Sequence, residues 1–430
     1  MASIEHEETD HSVSAILDEF RPSFSVYETT YKEIHQDPEL SCQETRTASI
    51  ASLHLKSLSF EVHERVGGHG VVGVLANGSG PTVLLRADMD ALPVREDTGL
   101  PYSSTKTMKD PDGKEVPVMH ACGHDMHVTS LMATASLLHA ARSKWMGTVI
   151  ALFQPNEELA GGAQAMVDDG LYTKFGIPLP DIVLGQHVFS TLPAGVVSLG
   201  PGPMLAAVDS LEIRIYGKGG HGTRPDLAID PILTASHIVV RLQSITSREV
   251  KPGETAVISC GSIHGGEASN IIPDYVDLKL TIRAYDPQIH EKLLDSVERV
   301  VRAECEASGA VKEPRFKTIM HAPATINDPE KSSILSSAFK SYFKDKAWDM
   351  EALPGSEDFS VLARAISAPY LFWLYGGPEP HQWDEAKQAG KLNEIPFNHN
   401  AGFKPVIQPT MRTGTDAFAL AALTFLRKAP

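Results

Sequence analysis

The run Met119-His120-Ala121-Cys122-Gly123-His124-Asp125-Met126-His127 packs one thiol and three imidazoles into a single short segment. Cys122 and His124 stand two apart, so on a regular helix their side chains would leave on different faces; they converge only from a loop or a helix entry. Gly123 between them gives the backbone freedom to turn there. A thiolate and an imidazole suit zinc-like ions, and an anionic ligand can also bridge two cations. Standing alone, the same residues also admit the less specific reading of a buried free cysteine among hydrogen-bonded histidines.

Three further segments bring acidic or imidazole groups to the ends of expected strands. The run VIALFQ leads into Pro155-Asn156-Glu157-Glu158, and both glutamates reach one site only if the strand breaks after Gln154, which Pro155 and the Gly161-Gly162 pair favour. The run DIVLG delivers His187 in the same manner. TVLLRADMDALP places Asp88 and Asp90 two apart, hence on one face, where one of them can orient the His124 ring through its second nitrogen. Acidic pairs on loops are commonly just solvated, and Asp also suits caps and turns, so no one of these segments decides the matter.

The elements that must hold these residues follow from periodicity. Residues 12–59 read as helical, with a polar turn around His35-Gln36-Asp37-Pro38. VVGVLAN, TVLLRAD and GTVIALFQP read as strands, with a helix over 128–141 between the second and third, which predicts an α/β sheet with parallel elements and helices on both faces. From about Leu205 to Met320 the order is strand, helix, strand, strand, helix, strand, the ferredoxin-like α+β pattern. The expected division is a mixed-sheet catalytic domain of residues 1–204 and 322–430, with a small domain of residues 205–321 inserted in it.

Composition narrows the function. Hydrophobic residues make up 42% and charged residues 21% of 430, and no apolar run approaches the ~20 residues that cross a bilayer, so no membrane role is expected. A net charge of −16 offers no footprint for nucleic acid. The acidic N-terminus lacks the basic and apolar regions of a secretory leader, and four scattered cysteines make no disulfide scaffold, so the cytoplasm is the expected compartment.

Together RADMDALP, HACGHDMH, FQPNEE, GQHV, GKGGHGTRP, GGEASNIIP, GSEDF and HNAGF resemble, in order, the dinuclear metallopeptidase-like amidohydrolases that include hippurate hydrolase, aminoacylase and the plant auxin-conjugate hydrolases. The resemblance runs from Asp37-Pro38-Glu39-Leu40 to the last helix. It implies two divalent cations per chain (zinc or manganese, with cobalt a third option) held by Cys122, His124, Glu158, His187 and His399. It implies Glu157 as general base, His221 as a histidine that reaches an active site, typically that of the partner subunit, where it would act on the developing oxyanion, and Asn270 and Arg283 as substrate-binding residues. Asp90 joins the catalytic candidates from its spacing, as a group that can orient His124. The implied substrate is a small N-acyl amino acid or related conjugate, and the inserted domain is expected to serve as lid and homodimer contact. A dipeptidase or carboxypeptidase with the same metals, and a metal-binding pseudoenzyme, are the competing readings. HNAGF in place of the usual HSPxF, Asn156 in FQPNEE and Pro354 before GSEDF depart from the pattern without changing a ligand type.

Overall fold

Thr82–Asp88, Trp145–Gln154 and Ile182–Ala194 are apolar, β-branched runs, and each forms a strand buried along nearly its whole length, as strands covered on both faces must be. The computed structural model describes residues 13–429. The reading of the extreme N-terminus as no leader falls largely on residues 1–12, outside the described residues. No helix among the described residues is long and apolar enough to cross a membrane.

By its contacts the chain divides into two compact units, one comprising the chain up to Met204, Ile326–Glu351 and Asp358 onward, the other Leu205–Thr325 and Ala352–Glu357. The first is built on a nine-stranded mixed sheet. Its strands run in the order Glu61–Val66, Gly70–Asn77, Trp145–Gln154, Thr82–Asp88, Ile182–Ala194, Tyr370–Gly376, Val197–Leu199, Ala347–Asp349, with Arg427–Lys428 paired onto Trp145–Gln154. The four central strands, Trp145–Gln154 through Tyr370–Gly376, are mutually parallel. Helix His124–Ala140 packs with Ile407–Phe425 and Ser25–Gln36, and Leu131, Leu138, Phe418 and Leu420 belong to the resulting core. This helix starts at His124, a full turn before the expected residue 128, because Gly123 closes the preceding turn in the left-handed region at φ 82°. A Cβ at Gly123 would also lie 2.4 Å from Val188 Cγ1, so glycine is required twice over.

The second unit is a four-stranded antiparallel sheet in the order Ala256–His264, Tyr275–Ala284, Ala207–Tyr216, Arg315–Ala322, with helices Pro231–Ser244 and Pro287–Ala307. Both helices begin with the same device. Asp230 and Asp286 accept hydrogen bonds from the backbone N–H groups one turn in, and the proline that follows each occupies a position that needs no donor. Alternate residues Ile213, Ile215, Leu278 and Leu280 meet Ile238 and Val297 of those helices in one core. The segment after Pro378, which reads as a loop in the sequence, contains helix Pro380–Gln388, whose buried Trp383 donates from Nε1 to Thr191 O at 3.2 Å.

Candidate metal centre

Parallel strands present their carboxyl ends on one edge, and the candidate residues collect there. Register pairs Asp88 with Gln154 and Arg86 with Gly185, so Asp88, the turn after Gln154 and His187 arrive at the same level. Beneath them lies the buried Arg86 guanidinium, which donates to Asp88 Oδ2 at 2.6 Å, Gln154 Oε1 at 2.8 Å and Asp358 Oδ1 at 3.3 Å. Asp358, from the GSEDF segment, also accepts from Gln154 Nε2 at 2.6 Å and from Ala163 N at 2.9 Å. The last strand residue before the acidic turn is thereby held from two sides.

The turn itself breaks as Pro155 requires. Asn156 takes φ 56°, a left-handed value uncommon outside glycine, and the chain then curls into helix Gly162–Asp168. Asp90 secures the two glutamates through their backbone: Oδ1 accepts from Glu157 N at 3.1 Å, and Oδ2 accepts from Glu158 N at 3.0 Å and from Ser41 Oγ at 2.6 Å. Glu44, buried at the start of helix Thr45–Ser57, accepts from Asn156 N at 2.8 Å and Cys42 N at 2.9 Å. Two adjacent side chains can share one pocket only with the backbone pinned in this way.

Cys122 Sγ, His124, Glu157, Glu158, His187 and His399 come together within this unit. Sγ lies 3.4 Å from His187 Nε2 and 3.1 Å from His399 Nε2. Cys122, Glu158 and His399 form one group whose ligand atoms all lie within 4.8 Å of one another, and His124, Glu157 and Glu158 form a second, so Glu158 belongs to both. His399 enters at φ 70°, its N–H donating to Ala121 O at 2.7 Å, a strained backbone held by its neighbours. His187 Nδ1 donates to Val188 O at 2.7 Å, which leaves the Nε2 lone pair facing Cys122, the arrangement a metal-binding imidazole needs.

A third group, Asp88, His124, His127 and His187, has the same compactness but not the same chemistry. Val188 N donates to His127 Nε2 at 2.8 Å, so the ring proton sits on Nδ1 and goes to Asp88 Oδ1 at 2.5 Å. Both nitrogens of His127 are therefore occupied, and its role is to brace Asp88 and the His187 strand.

The remaining donors fit divalent cations. Neither ring nitrogen of the fully buried His124 makes a hydrogen bond, although Nδ1 lies 3.3 Å from Asp90 Oδ1 and Nε2 3.7 Å from Asp88 Oδ2, and Glu158 Oε1 is likewise buried without a partner. Burial opposes a charge on His124, but the Asp88 charge and the Asp90 contact override it and raise the imidazole to about 10. Burial and then the Glu158 and Glu157 charges push the Cys122 thiol well up, and burial, with Asp90 and Asp88 adding to it, raises Glu158. Bound cations would reverse the direction that burial gives the thiol and the carboxyl, by holding both ionised.

Within the other unit, His221 and Asn270 are neighbours. Gly220–His221 pairs with Ile271–Ile272, and Gly222 N donates to Asn270 O at 2.8 Å. His221 is exposed, and its Nδ1 accepts from Thr223 N at 3.1 Å, which puts the ring proton on Nε2. Arg283 is elsewhere: its Nη1 donates to Pro354 O at 2.8 Å and Ser356 Oγ at 3.0 Å, and it pairs with Val208 at the end of the sheet opposite to the Tyr216–Tyr275 pair that leads to His221. Glu44, His127 and Asn398 escape sequence reading, since each depends on a backbone partner far away in the chain, Asn156 N, Val188 N and Ser190 N respectively.

The model of Peptidase family M20/M25/M40 matches residues 84–394. A hippurate hydrolase of Campylobacter jejuni is 39% identical over 352 residues, 80% of this chain and 87% of that protein. A thermostable carboxypeptidase of Saccharolobus solfataricus is 35% identical over 401 residues, 92% of this chain and 94% of its own length. Among solved structures, a Bacillus subtilis dinuclear metal-binding peptidase of the M20 family superposes with a TM-score of 0.72 at 28% identity, covering 93% of this chain and 97% of that one.

Proposed function

Because the chain belongs to peptidase family M20/M25/M40, we propose that it hydrolyses the amide bond of N-acyl amino acids or related conjugates at a centre of two divalent cations. The observation that carries this is the pair of groups that share Glu158, namely Cys122 with Glu158 and His399, and His124 with Glu157 and Glu158. Cys122, His124, Glu158, His187 and His399 would hold the cations, zinc or manganese being the ions such donors suit. Bound cations lower the pKa of a water and polarise a carbonyl oxygen.

The protein's own groups do the rest. Glu157 takes a proton from the attacking water and delivers it to the leaving nitrogen. Asp90 keeps that carboxylate in place through the backbone of residues 157 and 158. His221, protonated on Nε2, donates to the developing oxyanion. Arg283 is suited to fork the substrate carboxylate, and Asn270 supplies a further polar contact.

The separation of those last residues bears on how the site is completed. The Val208–Arg283 pair and the Tyr216–Tyr275 pair, beyond which His221 and Asn270 follow, lie roughly 26 Å apart along the strands at about 3.3 Å per residue. That spacing supports a reading in which the two groups serve different sites of a homodimer. In this reading each subunit lends His221 and Asn270 to its partner's site. Mixing His221→Ala and Glu157→Gln proteins, each inactive, is therefore expected to restore up to about a quarter of wild-type activity after random subunit exchange, since one site in each heterodimer keeps both residues. Exchange without recovery, followed by native mass spectrometry of the mixed dimers, assigns His221 to its own chain. His221→Ala alone should lower kcat with its metals retained.

Beside the ligands, the Phe189 ring lies 6.0 Å from that of His187 and 5.0 Å from Phe397, which is 49% exposed. An apolar face so close to the proposed ligands suits an apolar acyl group. N-benzoyl amino acids are expected to exceed their N-acetyl counterparts in kcat/KM by roughly 10-fold, the factor from about 1.5 kcal/mol of added apolar burial. Assays of both series beside dipeptides, on chelator-treated protein reloaded with Zn²⁺, Mn²⁺ or Co²⁺, test the function itself. Cleavage of dipeptides with no N-acyl amino acid turned over would carry the alternative, a peptidase like the Saccharolobus relative.

A further inference from the structure

Asn398 immediately precedes His399 and is buried, with 8% of its surface exposed, on a segment otherwise largely open. Its carboxamide is spent entirely on two other segments. Oδ1 accepts from Ser190 N at 3.2 Å, and Nδ2 donates to Val188 O at 3.1 Å, so the side chain pairs with the strand beyond His187 much as a neighbouring strand would. Nδ2 also lies 3.4 Å from Cys122 O and 3.9 Å from Cys122 Sγ. Val188 O, the carbonyl held by Asn398, is the one that accepts from His187 Nδ1. One amide thus touches the turn that carries Cys122, fixes the carbonyl that sets the His187 tautomer, and sits next in the chain to His399.

We propose that Asn398 is a positioning residue for the metal centre, tying the segments of Cys122, His187 and His399 into a single ligand set. The proposal rests on the reading of these three as ligands. Its physical basis is that the backbone bond from His399 N to Ala121 O joins the segments of His399 and Cys122, and Asn398 extends the tie to the strand of His187 through Val188 O and Ser190 N while also touching Cys122 O. Groups behind metal ligands typically contribute ~10–100-fold to metal affinity through such orientation. The Nδ2–Sγ contact adds to this, because with cations bound Cys122 would be a thiolate, a better acceptor than a thiol.

Two variants separate positioning from mere packing. Asn398→Leu keeps the volume and removes every hydrogen bond, and Asn398→Ala removes the volume too. Zinc affinity and stoichiometry would be measured by competition with a chromophoric chelator, beside unfolding temperatures of metal-free and metal-loaded protein. Thiolate-to-cobalt absorption of the Co²⁺ form reports on Cys122 directly. We expect both variants to lose about tenfold or more in affinity for at least one cation and to weaken the thiolate band. The unfolding temperature gained on metal loading should shrink accordingly. A role confined to packing predicts a different pattern: lower unfolding temperature in both forms, with affinity and the cobalt band unchanged. That pattern in either variant overturns the proposal. Wild-type protein that takes up no cation overturns the metal-centre reading along with it, whereas wild type and variants that bind alike overturn this inference alone.

Discussion

Glu157→Gln protein is expected to keep its metals and lose turnover by about 10²–10⁴-fold, the range that general-base removal covers. Glutamine preserves the size of the side chain and its hydrogen-bonding oxygen but accepts no proton. The bonds that place residue 157 run from its backbone N–H to Asp90 Oδ1 and, next door, from Glu158 N to Asp90 Oδ2, so the substitution leaves the geometry of the turn intact. Glu158 retains its place with Cys122 and His399 in one group and with His124 in another. Elemental analysis and kcat measured on the same preparation decide the matter. Loss of metal together with activity would make Glu157 a ligand and reverse its role with Glu158.

The second large effect is expected at Cys122. Its sulfur lies between two imidazoles, 3.4 Å from His187 Nε2 and 3.1 Å from His399 Nε2, a placement suited to an anion shared by two cations. A serine hydroxyl is not ionised near neutral pH, so Cys122→Ser should weaken metal binding by more than about 100-fold, beyond what partners behind the ligands contribute. Stoichiometry after dialysis against a weak chelator is the measurement. Two tightly held cations in the serine protein would remove the bridging role and leave Cys122 as a buried thiol. The same sample reports on activity, which should fall with occupancy rather than independently of it.

Strand identities, the strand-helix-strand order and the ferredoxin-like insert were legible in the sequence, because each depends on local periodicity and on punctuation by glycine, proline and capping aspartates. Asp230-Pro231 and Asp286-Pro287 announce their helices without reference to anything distant. Helix His124–Ala140 was legible in kind but not in its start, since the first turn depends on Gly123 and on the space Val188 leaves for it. The helix after Pro378 was missed because its mean polarity resembles a loop and a single tryptophan, buried by tertiary contact, anchors it.

The sequence by itself determined which donor types are available and that strand ends and a glycine-broken turn would carry them: thiol, imidazole and paired carboxylates, each next to a residue that stops a regular element. Tertiary structure alone decided what each donor is free to do. His124 and His127 are three apart in one helix and indistinguishable by type, yet His127 has both nitrogens committed, to Val188 N and Asp88, while those of His124 make no hydrogen bond. Asp88 and Asp90 are likewise equivalent by spacing, but one faces His127 and Arg86 and the other holds the backbone of the acidic turn. The reason is physical. Periodicity encodes which way a side chain points from its own element, whereas the availability of a lone pair depends on hydrogen-bond partners tens or hundreds of residues away, and those partners meet only when parallel strands bring their ends to one edge.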